Sequence, residues 1–207
     1  ILGALRDAVS IKFTVKTRVG FASPDEFDSL LPIFAKHSLD LLTVHARTVA
    51  QMYRLPVHYD LIRHAAEAMK CPICANGHVY SADQALEVVT QTKAQGLMIG
   101  RGVIRSPWLF DQIRQRLRGN PVTYPSGRDV IEYITALWES QASFAAPEKI
   151  QVERMKKFMN YLGEGVGVEG QFLHQIRRAA TRTDFFRICS EYLDHDQVMR
   201  LEPPVGA

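Results

Sequence analysis

Four short apolar runs recur in the first hundred residues, each followed by polar positions and then by apolar residues spaced three to four apart. They are Phe13-Thr14-Val15-Lys16-Thr17-Arg18, Leu41-Leu42-Thr43-Val44-His45, Pro72-Ile73-Cys74-Ala75-Asn76 and Gly96-Leu97-Met98-Ile99-Gly100. They are rich in β-branched and apolar residues with little alternation, the pattern of parallel strands buried on both faces. Helices are expected between them. Ser23-Pro24-Asp25-Glu26 is a capped start with Pro at the first helical position, followed by Leu30, Leu31, Ile33 and Phe34. Residues 60–69 form a second helix and residues 81–93 a third, with Ser81 as N-cap. Ile1 to Arg6 reads as the tail of an amphipathic helix. Strand-helix alternation of this kind predicts βαβ units and a parallel sheet.

After Arg105 the pattern changes. Ser106-Pro107-Trp108-Leu109-Phe110 opens a helix to about Arg118, broken by Gly119-Asn120-Pro121, and no strand is expected beyond Pro125. Helical spacing covers residues 128–144, 148–162, 169–181 and 184–193. The fold class expected is α/β: four βα units forming the second half of a (β/α)8 TIM barrel over residues 1–120, then a small all-α domain over residues 121–207. Eight units close a barrel, whereas four leave two strand edges and an open interior. The sequence is therefore expected to be the C-terminal portion of something longer, exposing the inner faces of Val15, Val44, Ile73 and Met98.

Of the 207 residues, 46% are hydrophobic and 23% charged, which excludes disorder and a disulfide scaffold. Three cysteines fit a reducing, cytoplasmic setting. No apolar run reaches the roughly 20 residues that cross a bilayer. The net charge of +3 is uneven. Residues 1–120 carry 15 Lys and Arg against 10 Asp and Glu, and residues 121–207 carry 10 against 12. Charge alone permits a nucleic-acid partner without arguing for one.

The chemistry-bearing residues cluster at the carboxyl ends of the expected strands, where barrels place their active sites. Lys16 is either an edge-strand gatekeeper or a cation aimed into a site. His45-Ala46-Arg47-Thr48 ends the second strand, and a His there serves either structure or proton transfer. Asn76-Gly77-His78 and Gly100-Arg101-Gly102 follow the third and fourth strands. Glycines let backbone approach a ligand, and exposed N–H groups with an Arg suit an anion, so the pair points to a phosphate-bearing cofactor or substrate. Cys71-Pro72-Ile73-Cys74 has CxxC spacing, but no second pair follows and it precedes no helix N-terminus. A small core residue is the favoured reading of each cysteine, and no metal site is assigned.

Five elements together resemble the tRNA-dihydrouridine synthase family. They are Val15-Lys16-Thr17-Arg18-Val19-Gly20, then Leu42-Thr43-Val44-His45-Ala46-Arg47-Thr48 with Gln51 and Tyr53, then Ala75-Asn76-Gly77, then Met98-Ile99-Gly100-Arg101-Gly102, then Pro107-Trp108-Leu109-Phe110. Their order and spacing match over residues 1–118. The resemblance implies an FMN-containing barrel that reduces the C5–C6 double bond of uridines in tRNA, with NADPH reducing the flavin. It implies that Lys16 lies against the isoalloxazine, that His45 contacts the flavin and faces the base, and that Asn76, Gly77, His78, Gly100 and Arg101 surround the FMN phosphate. Arg47, Gln51 and Tyr53 fall in the loop bordering the substrate, and the helical tail corresponds to an RNA-binding domain. Two departures stand out. His78 occupies a position that is usually acidic. The family's proton-donating Cys lies in an Asn-x-Gly-Cys-Pro motif that does not occur here, and Cys71, Cys74 and Cys189 do not match it. The catalytic general acid is accordingly unassigned.

Two rival readings remain at this level. One is another phosphate-binding βα-barrel enzyme, a lyase or isomerase with Lys16 as Schiff-base lysine, which needs a desolvated amine. The other is an inactive remnant that binds RNA through its helical tail, against which the tail's excess of acidic residues counts.

Overall fold

The computed structural model describes residues 1–54, 56–141, 146–167 and 170–203. The chain divides into two compact units, residues 1–100 and 101–207. The first contains α1 (Leu2–Ala8), β1 (Thr14–Arg18), a 3-10 turn (Pro24–Glu26), α2 (Phe27–Ala35), β2 (Leu41–His45), α3 (Tyr59–Ala68), β3 (Ile73–Asn76), α4 (Ala82–Thr92) and β4 (Gly96–Met98). The strands form one parallel sheet in the order β1-β2-β3-β4. Local signals set the helix starts. The Ser23 hydroxyl accepts from the Asp25 amide at 3.2 Å, and the Glu26 carboxylate accepts from the Ser23 amide at 2.8 Å. The Ser81 hydroxyl accepts from the Gln84 amide at 3.1 Å.

The register fixes which strand residues share a face. Val15, Leu42 and Ile73 are neighbours on one face, as are Thr17, Val44, Ala75 and Leu97. On this face Leu42, Val44, Ile73 and Ala75 are buried, with α3 and α4 packed on β3. The opposite face carries Lys16, Thr43, Cys74 and Gly96 in one row and Arg18, His45, Asn76 and Met98 in the next. The sheet is thus apolar on one face and polar on the other. β2 and β3 are buried on both faces as expected, Thr43, His45 and Cys74 included. The structure corrects the expectation of burial on both faces only at β1 and β4, where Thr14, Lys16 and Met98 are exposed. It also corrects the expected exposure of Val44 and Ile73, which lie on the helix-covered face. Met98, at 38% exposure, is the one of those four that opens to solvent as expected, Val15 being half-buried.

The second unit contains α5 (Arg101–Arg105), α6 (Leu109–Leu117), α7 (Gly127–Gln141), α8 (Glu148–Leu162), a 3-10 turn (Gly163–Gly165), α9 (Gln171–Ile176) and α10 (Arg182–Leu193). A single core joins Val130, Ile134, Trp138, Met155, Met159, Phe172, Ile176, Phe185 and Cys189, with Trp108 packed against it. No strand occurs here among the described residues; an isolated antiparallel bridge links Ser126 and Val198. The expected helix ends at Phe144 and Glu169 lie outside the described residues. α9 is shorter than expected, ending at Ile176 rather than Thr181. α5 stands where a glycine loop was expected. No described helix is long and apolar enough to cross a membrane.

Candidate functional site

The polar face of the sheet gathers three of the residues singled out from sequence. Arg18, His45, Asn76 and Met98 are adjacent in register at the strand ends, and Lys16 lies one row below beside Thr43. Lys16 is exposed, while Thr43 and His45 are buried. The Lys16 ammonium is held below the ordinary lysine range, first by partial burial of the amine and then by the Arg18 cation. The Asn76 amide donates to the Met98 carbonyl at 2.7 Å, tying the ends of β3 and β4 together.

Gly77 and His78, which follow Asn76, turn the chain through the left-handed region with φ of 133° and 52°. Gly77 needs this freedom, and its backbone faces side chains: a Cβ there would lie 3.5 Å from both Arg47 Nη1 and His45 Cδ2. Histidine, like Asn and Asp, is among the residues that tolerate this region, so His78 in place of an acidic residue keeps the backbone path. Its ring meets Tyr80 edge-on at 5.2 Å. The Gly77 carbonyl accepts from the Tyr59 hydroxyl at 2.9 Å. Burial pushes that phenol up to about 12, with the Arg47 cation opposing.

The loop after β2 is held from several sides. Arg18 Nη1 donates to the carbonyls of Thr48 at 2.8 Å and Met52 at 3.1 Å. Arg47 is fully buried, and its Nε donates to the Arg54 carbonyl at 2.7 Å. Gln51 accepts from the Thr48 amide at 2.8 Å, and its Nε2 lies 2.9 Å from His58 Nε2. Tyr53, by contrast, is exposed beside exposed Met52. The loop thus has a buried charged side chain at its centre and an exposed aromatic ring at its rim, and Arg18 of the polar face bonds to its backbone.

Gly100 is exposed and ends the first unit, and Arg101 opens α5 in the second. Three contributors were missed from sequence as members of the site. Arg18 was legible, since it falls two residues after Lys16 and a strand places such pairs on one face. His58 and Tyr59 had no local signal, because their partners Gln51 and Gly77 lie across loops. The cysteines belong elsewhere. Cys74 is buried on the polar face with its thiol raised by burial against a bond from Thr43, Cys71 is raised too, and Cys189 is pushed up to about 12 inside the helical core. No cluster of metal-ligating groups occurs among the described residues.

Comparison with known proteins gives this geometry a family. The sequence model of the dihydrouridine synthase (Dus) family matches residues 1–195. A probable tRNA-dihydrouridine synthase of Rickettsia prowazekii is 31% identical over 174 residues, covering 83% of this chain and 53% of that protein. The tRNA-dihydrouridine(16) synthase of Neisseria meningitidis is 26% identical over 182 residues, covering 88% and 55%. A probable tRNA-dihydrouridine synthase of Helicobacter pylori is 29% identical over 208 residues, covering 97% and 55%. The chain spans about half the length of these curated relatives. With the family match running through both units, this chain belongs to the dihydrouridine synthase family.

Proposed function

We propose that this chain is the C-terminal part of a cytoplasmic FMN enzyme that reduces uridine in tRNA to 5,6-dihydrouridine with NADPH. In this reading β1–β4 are the last four strands of an eight-stranded barrel, and residues 121–207 help to bind the tRNA. The observation that carries it is the row of Arg18, His45 and Asn76, with Lys16 one row below on the same face, at the carboxyl ends of parallel strands in a member of this family. The residues fit a flavin mononucleotide. Gly77 takes a glycine-favouring φ, and a Cβ on Gly100 would meet nothing within 4 Å, so backbone at both strand ends can approach a ligand. Bound there, FMN supplies the hydride chemistry.

The side chains then divide the work. Lys16 places a cation where charge gathers on ring reduction; its amine is lowered first by partial burial and then by the Arg18 cation, and the two cations together suit an anion. His45 sits in the next row, positioned to contact ring and base. Asn76 holds β3 to β4, which sets the strand-end loops carrying Gly77, His78 and Gly100 around the phosphate, with Arg101 as its cation. The lip of Arg47, Gln51 and Tyr53 borders the substrate, fixed by Arg18 and His58. Exposed Lys149, Arg154, Lys157, Arg177 and Arg178 supply phosphate contacts for RNA on the helical unit. No residue here is assigned as the proton donor.

The lowered Lys16 amine is the one observation favouring a Schiff-base lyase instead. The full natural chain decides between them. The flavin reading expects a yellow protein that releases FMN on denaturation and forms dihydrouridine on unmodified tRNA. Arg101→Ala should weaken FMN binding by about 1.5–3 kcal/mol, the value of a charge-assisted contact. Unchanged flavin affinity in that variant overturns the phosphate assignment, and a colourless protein trapped by borohydride at Lys16 overturns the flavin reading.

A further inference from the structure

α3 starts from His58, whose side chain caps no helix amide, although Ser, Thr, Asp or Asn at that place would do so. The ring is committed elsewhere. Gln51 Nε2 lies 2.9 Å from His58 Nε2. The orientation of that side-chain amide is fixed from its other end, because Gln51 Oε1 accepts from the Thr48 amide at 2.8 Å and a backbone N–H can only donate. Thr48 Oγ1 in turn accepts from the Gln51 amide at 3.1 Å. Gln51 Nε2 is therefore the donor and His58 Nε2 the acceptor, which leaves the ring hydrogen on Nδ1. His58 is pinned through its backbone as well, its amide donating to the Ala46 carbonyl at 2.9 Å.

The chain held in this way is strained. Met52 takes φ of 53°, in the left-handed region that disfavours a long side chain. Such a conformation lasts only where the surroundings over-determine it. The Gln51 side chain holds one flank. On the other flank the Arg54 carbonyl accepts from Arg47 Nε at 2.7 Å, and the Arg54 amide donates to the Gln51 carbonyl at 3.0 Å. The Met52 carbonyl itself accepts from Arg18 Nη1 at 3.1 Å. The arginines bind backbone carbonyls, whereas His58 binds the one side chain that spans from Thr48 to the start of α3.

We propose that His58 is a positioning residue for the substrate loop: as the hydrogen-bond acceptor of Gln51, it holds Met52 in its left-handed conformation and fixes the turn 51–54 that borders the RNA. This rests on the assignment of that turn to the substrate made above. The start of α3 then serves the site rather than the helix, which is why it carries a residue that does not cap.

The test uses the full natural chain, with KM and kcat for unmodified tRNA as one readout and NMR of the imidazole nitrogens as the other. His58→Ala should raise KM by about tenfold, the scale of one hydrogen bond, and change kcat less than about twofold. His58→Gln, whose side-chain oxygen stands in for Nε2, should recover most of that loss, whereas His58→Lys, a donor only, should not. Gln51→Ala should match His58→Ala, and the two together should be no worse than either alone. The wild-type His58 ring should carry its hydrogen on Nδ1, and Gln51→Glu, which replaces the donor by an acceptor, should bring a hydrogen onto Nε2. A wild-type ring with its hydrogen on Nε2 overturns the proposal. A drop in Tm for His58→Ala with KM unmoved leaves a structural residue and overturns the positioning role. Unmoved KM in Tyr53→Ala and His58→Ala alike overturns the assignment of the turn to the substrate and this inference with it. A full chain that forms no dihydrouridine overturns the reading on which both rest. Should His58→Ala fail to fold, His58→Gln and His58→Lys decide: equal KM in the two overturns the proposal.

Discussion

In residues 101–207, α7 to α10 close around Val130, Ile134, Met155, Phe172 and Phe185, so the helices share a core with apolar residues facing it from every side. In residues 1–100 the sheet is treated differently. Its Leu42, Val44, Ile73 and Ala75 face is buried under helices, whereas the face carrying Lys16, Arg18, His45 and Asn76 is polar and partly open. A helix with one apolar stripe needs one partner, and the bundle supplies it. A parallel strand has two faces, and polar side chains on the second signal that ligand or further protein belongs there. The difference teaches where stability and chemistry separate in this chain: large losses of stability are expected in the bundle, and large losses of activity on the open face of the sheet.

The sharpest way to break that separation starts in the bundle. Phe172 is fully buried. Phe172→Ala should destabilise the helical unit by about 3–5 kcal/mol, through lost burial and a residual cavity. Hydrogen exchange should show amide protection falling across α7 to α10 while β1–β3 retain theirs. Equal loss in the sheet amides would mean that the two units unfold as one.

Lys16→Met is the converse. Lys16 is exposed and its ammonium is already disfavoured by its surroundings, so stability should change by no more than about 0.5 kcal/mol. On the proposed flavin reading, single-turnover reoxidation of the flavin by tRNA in the full natural chain should slow on the order of a hundredfold, as when one preorganised charge is removed. tRNA affinity and its salt dependence should stay near wild type, because that reading gives Lys16 a ring contact and not a phosphate contact. A loss of affinity with an unchanged chemical step would move Lys16 from the flavin to the RNA backbone.

The same separation governs what was legible in the sequence. The four strands fall within one or two residues of their expected limits, because short β-branched runs between capped helices leave few alternatives. Ser23 and Ser81 cap as expected, and α8 spans the expected residues 148–162. The polar face was half legible. Lys16, His45 and Asn76 stood out at strand ends, but the alternation Thr14, Lys16, Arg18 was passed over in a run read as buried on both faces. α5 was not legible, because Gly100-Arg101-Gly102 has the composition of a loop and the ion-pair partner of its Arg105 is Glu164, 59 residues further on. Long-range pairs such as Gln51 with His58 and Tyr59 with Gly77 leave no spacing signal at all.

The smallest effect sharpens the comparison from within the sheet unit. Tyr59 is half-buried, yet its hydroxyl is committed to the Gly77 carbonyl at the edge of the candidate site. Burial raises the phenol from 10.0 to about 12 in the folded chain. Between those values the unfolded chain loses the proton and the folded chain keeps it, so the folded state binds more protons and stability falls as pH rises. The contribution is fully present below pH 10 and is lost on the way to about pH 12. Lys16 has the opposite sign, since its lowered pKa makes stability rise with pH in a window below 10.5. The raised thiols of Cys71, Cys74 and Cys189 add their own decline from pH 9.0 upward. A difference measurement isolates Tyr59 from these groups. Urea unfolding of wild type and Tyr59→Phe should differ at pH 8 by about 1 kcal/mol, the value of the bond to Gly77. That gap should shrink steadily between pH 10 and pH 12, because only the wild type carries the phenol. A gap that stays constant over this range would show that the hydroxyl is solvated, and that Gly77 is held by its backbone neighbours alone.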